Sequence, residues 1–286
     1  MHINIKLLSL VVLVGIAVLI SCTIQPENVA ISSDGVEIRY NVQGEGEPAL
    51  IFVHGFSRSH NDWARQMDYF SDRYTVVALD LAGFGESGNN RDNWTMEAFG
   101  SDVVSVIEHL NLNKVILIGH SMGTPAIMKA AIQNQGKIIG LVPVDMLDDV
   151  GQKRSAEEIE KIVEGYKNMM INPTEEIVRS WFVKEIDEEL VSEFVNYYNT
   201  DFKVGWEESI RSTMKWISDS QPDDLTKIDI PICCINSDLS IPDYDLVRQY
   251  SQNFNAKIIK GVGHFVMIEA QDEFNRLLEE CIQEFK

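Results

Sequence analysis

The pentapeptide Gly119-His120-Ser121-Met122-Gly123 constrains this chain more than any other stretch. It follows the apolar run Val115–Ile118 and precedes Ala126–Ile132, which suits a helix. The chain must therefore turn from strand to helix within five residues. Gly119 and Gly123 remove the Cβ atoms that would collide in so sharp a turn, and Ser121 is left at its tip in a strained conformation. A serine there serves either as a nucleophile or merely as a helix N-cap. The rest of the chain decides between the two by what it supplies around Ser121.

Val29–Ser32 and Val36–Val42 flank Asp34-Gly35 and read as a β-hairpin. Continuous apolar runs at Ala49–Val53, Tyr74–Leu79, Val115–Ile118 and Ile138–Val144 read as buried strands. Helices are predicted over Asp62–Phe70 and Met96–Leu110, with Pro125 in the first turn of the helix after Ser121, where a missing N–H costs little. After the strand Ile232–Ile235, Pro242–Phe254 is a predicted helix, Lys257–Ile259 a short strand and Phe274–Phe285 the closing helix. Strands alternating with helices imply a mostly parallel sheet covered on both faces, with sites beyond the carboxyl ends of its strands. His54, Asp80, Ser121, Asp145 and Asp238 all fall at such ends.

Between Asp148 and Asp224 the pattern changes. This stretch holds 19 acidic and 9 basic residues, half of the chain's net charge of −20. It has no buried strand pattern. Ala156–Met170, Thr174–Trp181, Glu188–Tyr198 and Trp206–Ser218 read as amphipathic helices, and Pro222 with the charged stretch Asp223–Asp229 closes the region. It is a helical insertion, a cap, ahead of the penultimate strand. Its Trp181, Phe182, Tyr197, Tyr198, Trp206, Trp216, Met169 and Met170 serve either a pocket or the cap's own core, with the core favoured.

A serine hydroxyl needs a base to take its proton and a carboxylate to orient that base. His264, in the Gly-rich loop Gly261–Phe265, is the candidate base. His60 and His109 read as solvated, and His120 precedes Ser121 and points elsewhere. The acid falls between serine and histidine in chain order. Asp238, after Ile232–Ile235, is the first choice and Asp145 the alternative, with Asp243 and Asp245 weaker. The negative charge that develops on a carbonyl oxygen needs two preorganised donors. The backbone N–H groups of Met122 and Phe56 are the candidates.

Taken in order, His54-Gly55-Phe56, Asp80-Leu81-Ala82-Gly83-Phe84-Gly85-Glu86-Ser87, Gly119–Gly123 and Gly263-His264-Phe265 resemble the motifs of the α/β-hydrolase superfamily, in its branch with a helical cap. The resemblance covers about residues 29–286. It implies an α/β-hydrolase fold, Ser121 as nucleophile, His264 as base and Asp238 as acid. In one departure, Asn236-Ser237 replace a glycine expected ahead of the acid, which keeps Asp145 in play. The serine sets the chain apart from the superfamily's dehalogenases and epoxide hydrolases, which carry an aspartate nucleophile. The expected activity is cofactor-free hydrolysis of a small-molecule carboxylic ester through an acyl-enzyme. Amide, thioester or carbon–carbon cleavage on the same triad is the nearby class, and a non-catalytic binding module the distant one.

The first residues read as an export signal. Lys6 precedes the apolar run Leu7–Ile20, which has the length of a signal-peptide core, and Leu19-Ile20-Ser21-Cys22 resembles a bacterial lipobox. The resemblance implies cleavage after residue 21, lipid on Cys22 and a short tether over residues 22–28. It places the domain on a membrane face, toward the periplasm or the cell surface. Cys233, Cys234 and Cys281 read as core thiols, and no metal-ligand spacing is present. With 45% hydrophobic residues the chain can bury one large core, and its acidity excludes nucleic-acid binding.

Overall fold

The computed structural model describes residues 28–200 and 204–285. The export signal, the Cys22 lipidation site and the tether up to residue 27 lie outside the described residues. The strands are β1 (Val29–Ile31), β2 (Glu37–Gln43), β3 (Ala49–Val53), β4 (Val76–Leu79), β5 (Val115–His120), β6 (Ile138–Val144), β7 (Ile232–Ser237) and β8 (Phe254–Ile259). Helices α1 (Ala64–Phe70), α2 (Met96–His109) and α3 (Gly123–Gln133) alternate with them up to β6. Five helices separate β6 from β7: α4 (Ala156–Ile171), α5 (Glu175–Arg179), α6 (Glu188–Thr200), α7 (Trp206–Lys215) and α8 (Gln221–Thr226). Then follow α9 (Tyr244–Tyr250), α10 (Val266–Glu269) and α11 (Gln271–Glu284).

The eight strands form one sheet in the order β1-β2-β4-β3-β5-β6-β7-β8. β1 and β2 are the antiparallel hairpin predicted around Asp34-Gly35, and β2 also runs antiparallel to β4. From β4 across to β8 every pairing is parallel. All residues of β3, β4 and β5 are buried, as continuous apolar runs require when both faces are covered. Alternate residues feed opposite faces. Ile51 and Val53 join Val103, Val106 and Ala126 of α2 and α3, whereas Leu50 and Phe52 join Phe70 of α1 and Leu278 of α11.

That alternation corrects the reading of the cysteines. Cys233 faces the side covered by α11, and it forms a disulfide with Cys281, with Cα atoms 5.8 Å apart. Cys234 points to the other face and stays a buried free thiol. Other differences concern boundaries. Phe254 pairs with Ile232 and so opens β8, and the preceding helix stops at Tyr250. Pro222 starts α8 instead of closing the region, because proline is tolerated in a first turn. A π-helical turn, Trp216–Ser220, links α7 to α8.

The helical insertion is bolted to the loops at the strand ends. Trp206 Nε1 donates to Gly83 O at 3.0 Å, and its ring stacks on Phe84 with centroids 5.6 Å apart. Tyr197 donates to Arg58 O at 3.0 Å and accepts from Gly85 N–H at 3.1 Å. The Arg58 guanidinium lies 3.5 Å from the centroid of the Phe194 ring, within cation–π range.

A charged cluster joins the hairpin to α2. Asp102, fully buried, accepts from Arg91 at 2.5 and 3.1 Å, from Ser32 Oγ at 2.7 Å and from Ala82 N–H at 3.2 Å. Arg91 also pairs with the part-exposed Asp34 at 2.9 Å, so removing Asp102 strips the buried guanidinium of its one buried partner. The variant Asp102→Ala is expected to lose about 3–5 kcal/mol of stability, read as a lower urea midpoint at unchanged slope.

Candidate active site

The β5–α3 turn places Ser121 at φ 50°, in the left-handed region that non-glycine residues rarely occupy. A Cβ on Gly119 would lie 2.6 Å from Gly123 O, and one on Gly123 would lie 2.6 Å from Val53 O. Both are far inside contact distance, so only glycines permit the turn. Hydrogen bonds hold it on either side: Ser121 N–H to Val144 O at 3.0 Å, and Thr124 Oγ1 to Gly119 O at 2.9 Å. Ser57, Asp145 and Leu147 also have positive φ, and Ser57 and Asp145 line cavities with Ser121. Strain of this kind concentrates at functional sites.

His264 meets Asp145. Its Nδ1 lies 2.7 Å from Asp145 Oδ2, and Asp145 Oδ1 accepts from Ser237 N–H at 2.7 Å. Asp145 is buried at the end of β6. The expectation that Asp238 fills this place is corrected. Asp238 is exposed, and its carboxylate accepts from Gly261 N–H at 3.0 Å. The physical reason lies in the β6–β7 pairing. Asp145 N–H bonds to Ile235 O, which brings the β6 carboxylate under the N–H of Ser237, while Asp238 has already passed the end of β7. Asn236 braces the same corner, donating to Met146 O and Ser240 O, both at 2.7 Å. The Asn236-Ser237 pair that breaks the expected glycine pattern thus holds Asp145 and the residue after it on the neighbouring strand.

The backbone of His264 is clamped twice. Its N–H donates to Trp181 O at 2.8 Å, and His120 Nε2 lies 2.9 Å from its carbonyl. A carbonyl only accepts, so His120 carries a proton on Nε2. Burial, then the neighbouring His264, holds the His120 imidazole well below its usual pKa, so it stays neutral. The hold of His120 on the His264 carbonyl was not legible from spacing.

Two cavities meet at Ser121 and His264. One, of about 270 Å³, is lined by Phe56, Met122, Tyr166, Ile210 and Met214 among others. The other, of about 50 Å³, runs toward Met169, Trp181 and Phe265. The two proposed backbone donors, Phe56 and Met122, belong to residues that line the larger chamber. Met122 stands at the N-terminus of α3, where N–H groups lack intrahelical acceptors. Of the insertion's large side chains, Trp181 and Met169 line a cavity, whereas Phe182, Trp206, Trp216 and Met170 are core. The side chain of Tyr198 lies outside the described residues. Among the described residues no cluster of His, Cys, Asp and Glu could hold a metal ion.

Residues 48–271 match the alpha/beta hydrolase fold family, well over half of the chain. The protein belongs to that family. A stretch of 102 residues is 35% identical to the uncharacterized hydrolase YugF of Bacillus subtilis, covering 35% of this chain and 37% of that one. Another of 98 residues is 35% identical to human epoxide hydrolase 4, covering 33% of this chain and 27% of that one. The matched stretch thus spans about a third of the length of these relatives. An esterase from Exiguobacterium antarcticum superposes with a TM-score of 0.76 at 19% identity, over 90% of this chain and 99% of that one. At such identity the likeness is one of fold.

In this member of the alpha/beta hydrolase fold family the loop after β4 is organised by Asp80. The carboxylate accepts from His60 N–H at 2.7 Å, from Glu86 N–H at 2.8 Å and pairs with His60 Nδ1 at 2.9 Å. His60 is therefore not solvated as its polar surroundings suggested, because the turn ahead of α1 folds it onto the β4 end. His54 joins the same loops: Nε2 accepts from Leu81 N–H at 3.1 Å, which leaves Nδ1 to donate to Gly55 O at 2.7 Å. The hydrogen bond to Asp80 raises the His60 pKa above its ordinary value. A histidine so raised stabilises the fold fully below its unfolded pKa, about 6.5, and loses that contribution as pH rises through the folded value. The stability gap between the wild type and His60→Gln, measured by urea unfolding across pH, is expected to be widest below about pH 6.5 and to narrow above it.

Proposed function

We propose that this protein is a serine hydrolase of carboxylic esters, with Ser121 as nucleophile, His264 as base and Asp145 as acid. The observation that carries the reading is the His264–Asp145 contact of 2.7 Å beside a cavity that Ser121 also lines. Asp145 occupies Nδ1 of the imidazole, which leaves Nε2 as the nitrogen that takes the Ser121 proton. The serine oxygen then attacks the ester carbonyl, and the N–H groups of Phe56 and Met122 receive the charge that develops on its oxygen. His264 returns the proton to the departing alcohol. In the second half, water takes the place of the serine and frees the acid. Asp145 stabilises the imidazolium formed in each half without taking its proton. No step calls for a cofactor.

Replacing the nucleophile, Ser121→Ala, is expected to lower kcat for a short p-nitrophenyl ester by at least about 10³-fold and to abolish labelling by a fluorophosphonate. Labelling that persists in the variant removes Ser121 from the chemistry, and a wild type that never labels points to a binding module. The two carboxylates separate the acids. Asp145→Asn should cost about 10³–10⁴-fold in kcat, whereas Asp238→Asn should stay close to wild type. The reverse order would restore Asp238 to the role.

We also propose export and lipid attachment at Cys22. The apolar run Leu7–Ile20 and the Leu19-Ile20-Ser21-Cys22 segment support the reading. So does the Cys233–Cys281 disulfide, a bond that suits an oxidising compartment. Among the described residues no helix is long and apolar enough to cross a membrane. The Cys22→Ser variant is expected to shift the protein from the membrane fraction to the soluble fraction.

A further inference from the structure

The larger chamber beside Ser121 is apolar over most of its wall, through Phe56, Met122, Met146, Ile210, Met214 and Ile217. Its polar groups differ in what occupies them. Asp145 is held by His264 and Ser237. The Thr213 hydroxyl donates to Ser209 O, one turn earlier in α7, at 2.8 Å. Asp148, an exposed residue, lines the chamber too, together with Ser240. No cation among the described residues pairs with it. The neighbouring basic side chains are turned to other acceptors: Arg154 to Asp149 at 2.8 Å, and Lys153 to Ser218 O at 2.6 Å. Burial pushes the Asp148 carboxyl above its ordinary pKa, and the negative Asp149 and Asp145 add to the shift. These are the marks of a carboxylate short of positive charge.

We propose that Asp148 is a specificity-determining residue, which favours esters whose chain crosses the apolar chamber and ends in a cationic nitrogen over those ending in a carboxylate. The inference rests on the ester-hydrolase reading above. The apolar wall accepts the methylenes, and the carboxylate of the exposed Asp148 meets the charged end. Because Asp148 is partly open to water, the preference is moderate, about three- to tenfold, not the large factor of a sealed ion pair.

Three p-nitrophenyl esters test it: 5-(trimethylammonio)pentanoate, its uncharged isostere 6,6-dimethylheptanoate, and the hydrogen adipate monoester. At about 0.15 M salt the Debye length is about 8 Å, which screens the general acidity of the surface. In kcat/KM the wild type should prefer the ammonium ester to the isostere by about three- to tenfold and disfavour the carboxylate. Asp148→Asn, a change of charge with little change of shape, should bring the ammonium-to-isostere ratio toward one and raise the carboxylate-to-isostere ratio. Ratios that Asp148→Asn leaves unmoved overturn the proposal while the ester reading stands. Binding of butyltrimethylammonium, measured by calorimetry on Ser121→Ala with and without Asp148→Asn, reads the same residue without catalysis. Equal affinities overturn the proposal even where no ester is turned over, a result that by itself would fell only the ester reading.

Discussion

The close approach of β5, α3 and β3 sets the conditions for everything else. Gly119 faces the carbonyl of Gly123, and Gly123 faces the carbonyls of Val53 and His54, with no room for a side chain at either place. The serine between them is lifted onto a positive φ, clear of the strand. Its backbone is held by Val144, the last residue of the neighbouring β6. The same contact sets the end of β6 beside the turn, so the residue after it, Asp145, emerges next to the serine. Ser121 and Asp145 are thus placed by one strand pairing.

His264 needs a different kind of support, because it comes from a loop. The imidazole of His264 is partly exposed, and its position depends on what grips the backbone around it. One grip is His120 on its carbonyl, from the Ser121 turn itself. Another is Trp181 O on its N–H, from the helical insertion. Glu269 adds a third, accepting from Gly263 N–H at 3.1 Å and from Lys184 N–H at 2.9 Å. The insertion therefore does more than wall the cavities: it is part of the scaffold that holds the loop of His264.

The histidines illustrate how composition hides role. His54, His60 and His120 are each joined to a backbone carbonyl, a backbone N–H or a carboxylate: His54 and His60 lace the loops after β3 and β4, and His120 ties the end of β5 to the loop after β8. Among the described residues, only His264 is a histidine that combines a carboxylate on one nitrogen with a place in the cavity of Ser121. A lone histidine in sequence carries no mark that separates lacing from chemistry. The partners do, and they come from distant strands.

The sequence by itself determined the alternation of buried strands and helices, the glycine-flanked turn at Ser121, the loop of His264 and the helical stretch between β6 and β7. These are local signals: apolar period, glycine spacing and strand–helix order act over a few residues, so they are written in adjacent letters. Which carboxylate reaches His264 was not so written. Asp145 and Asp238 each follow a buried strand, and only the register of β6 against β7, through Asp145 N–H to Ile235 O and Ser237 N–H to Asp145 Oδ1, brings Asp145 to the imidazole and leaves Asp238 outside. The disulfide was hidden in the same way, since the side of the sheet that Cys233 faces has meaning only once α11 has packed there. Tertiary structure decided these points because a strand end becomes a site only through its neighbours, and β7, whose register against β6 places Asp145, lies about ninety residues further along the chain.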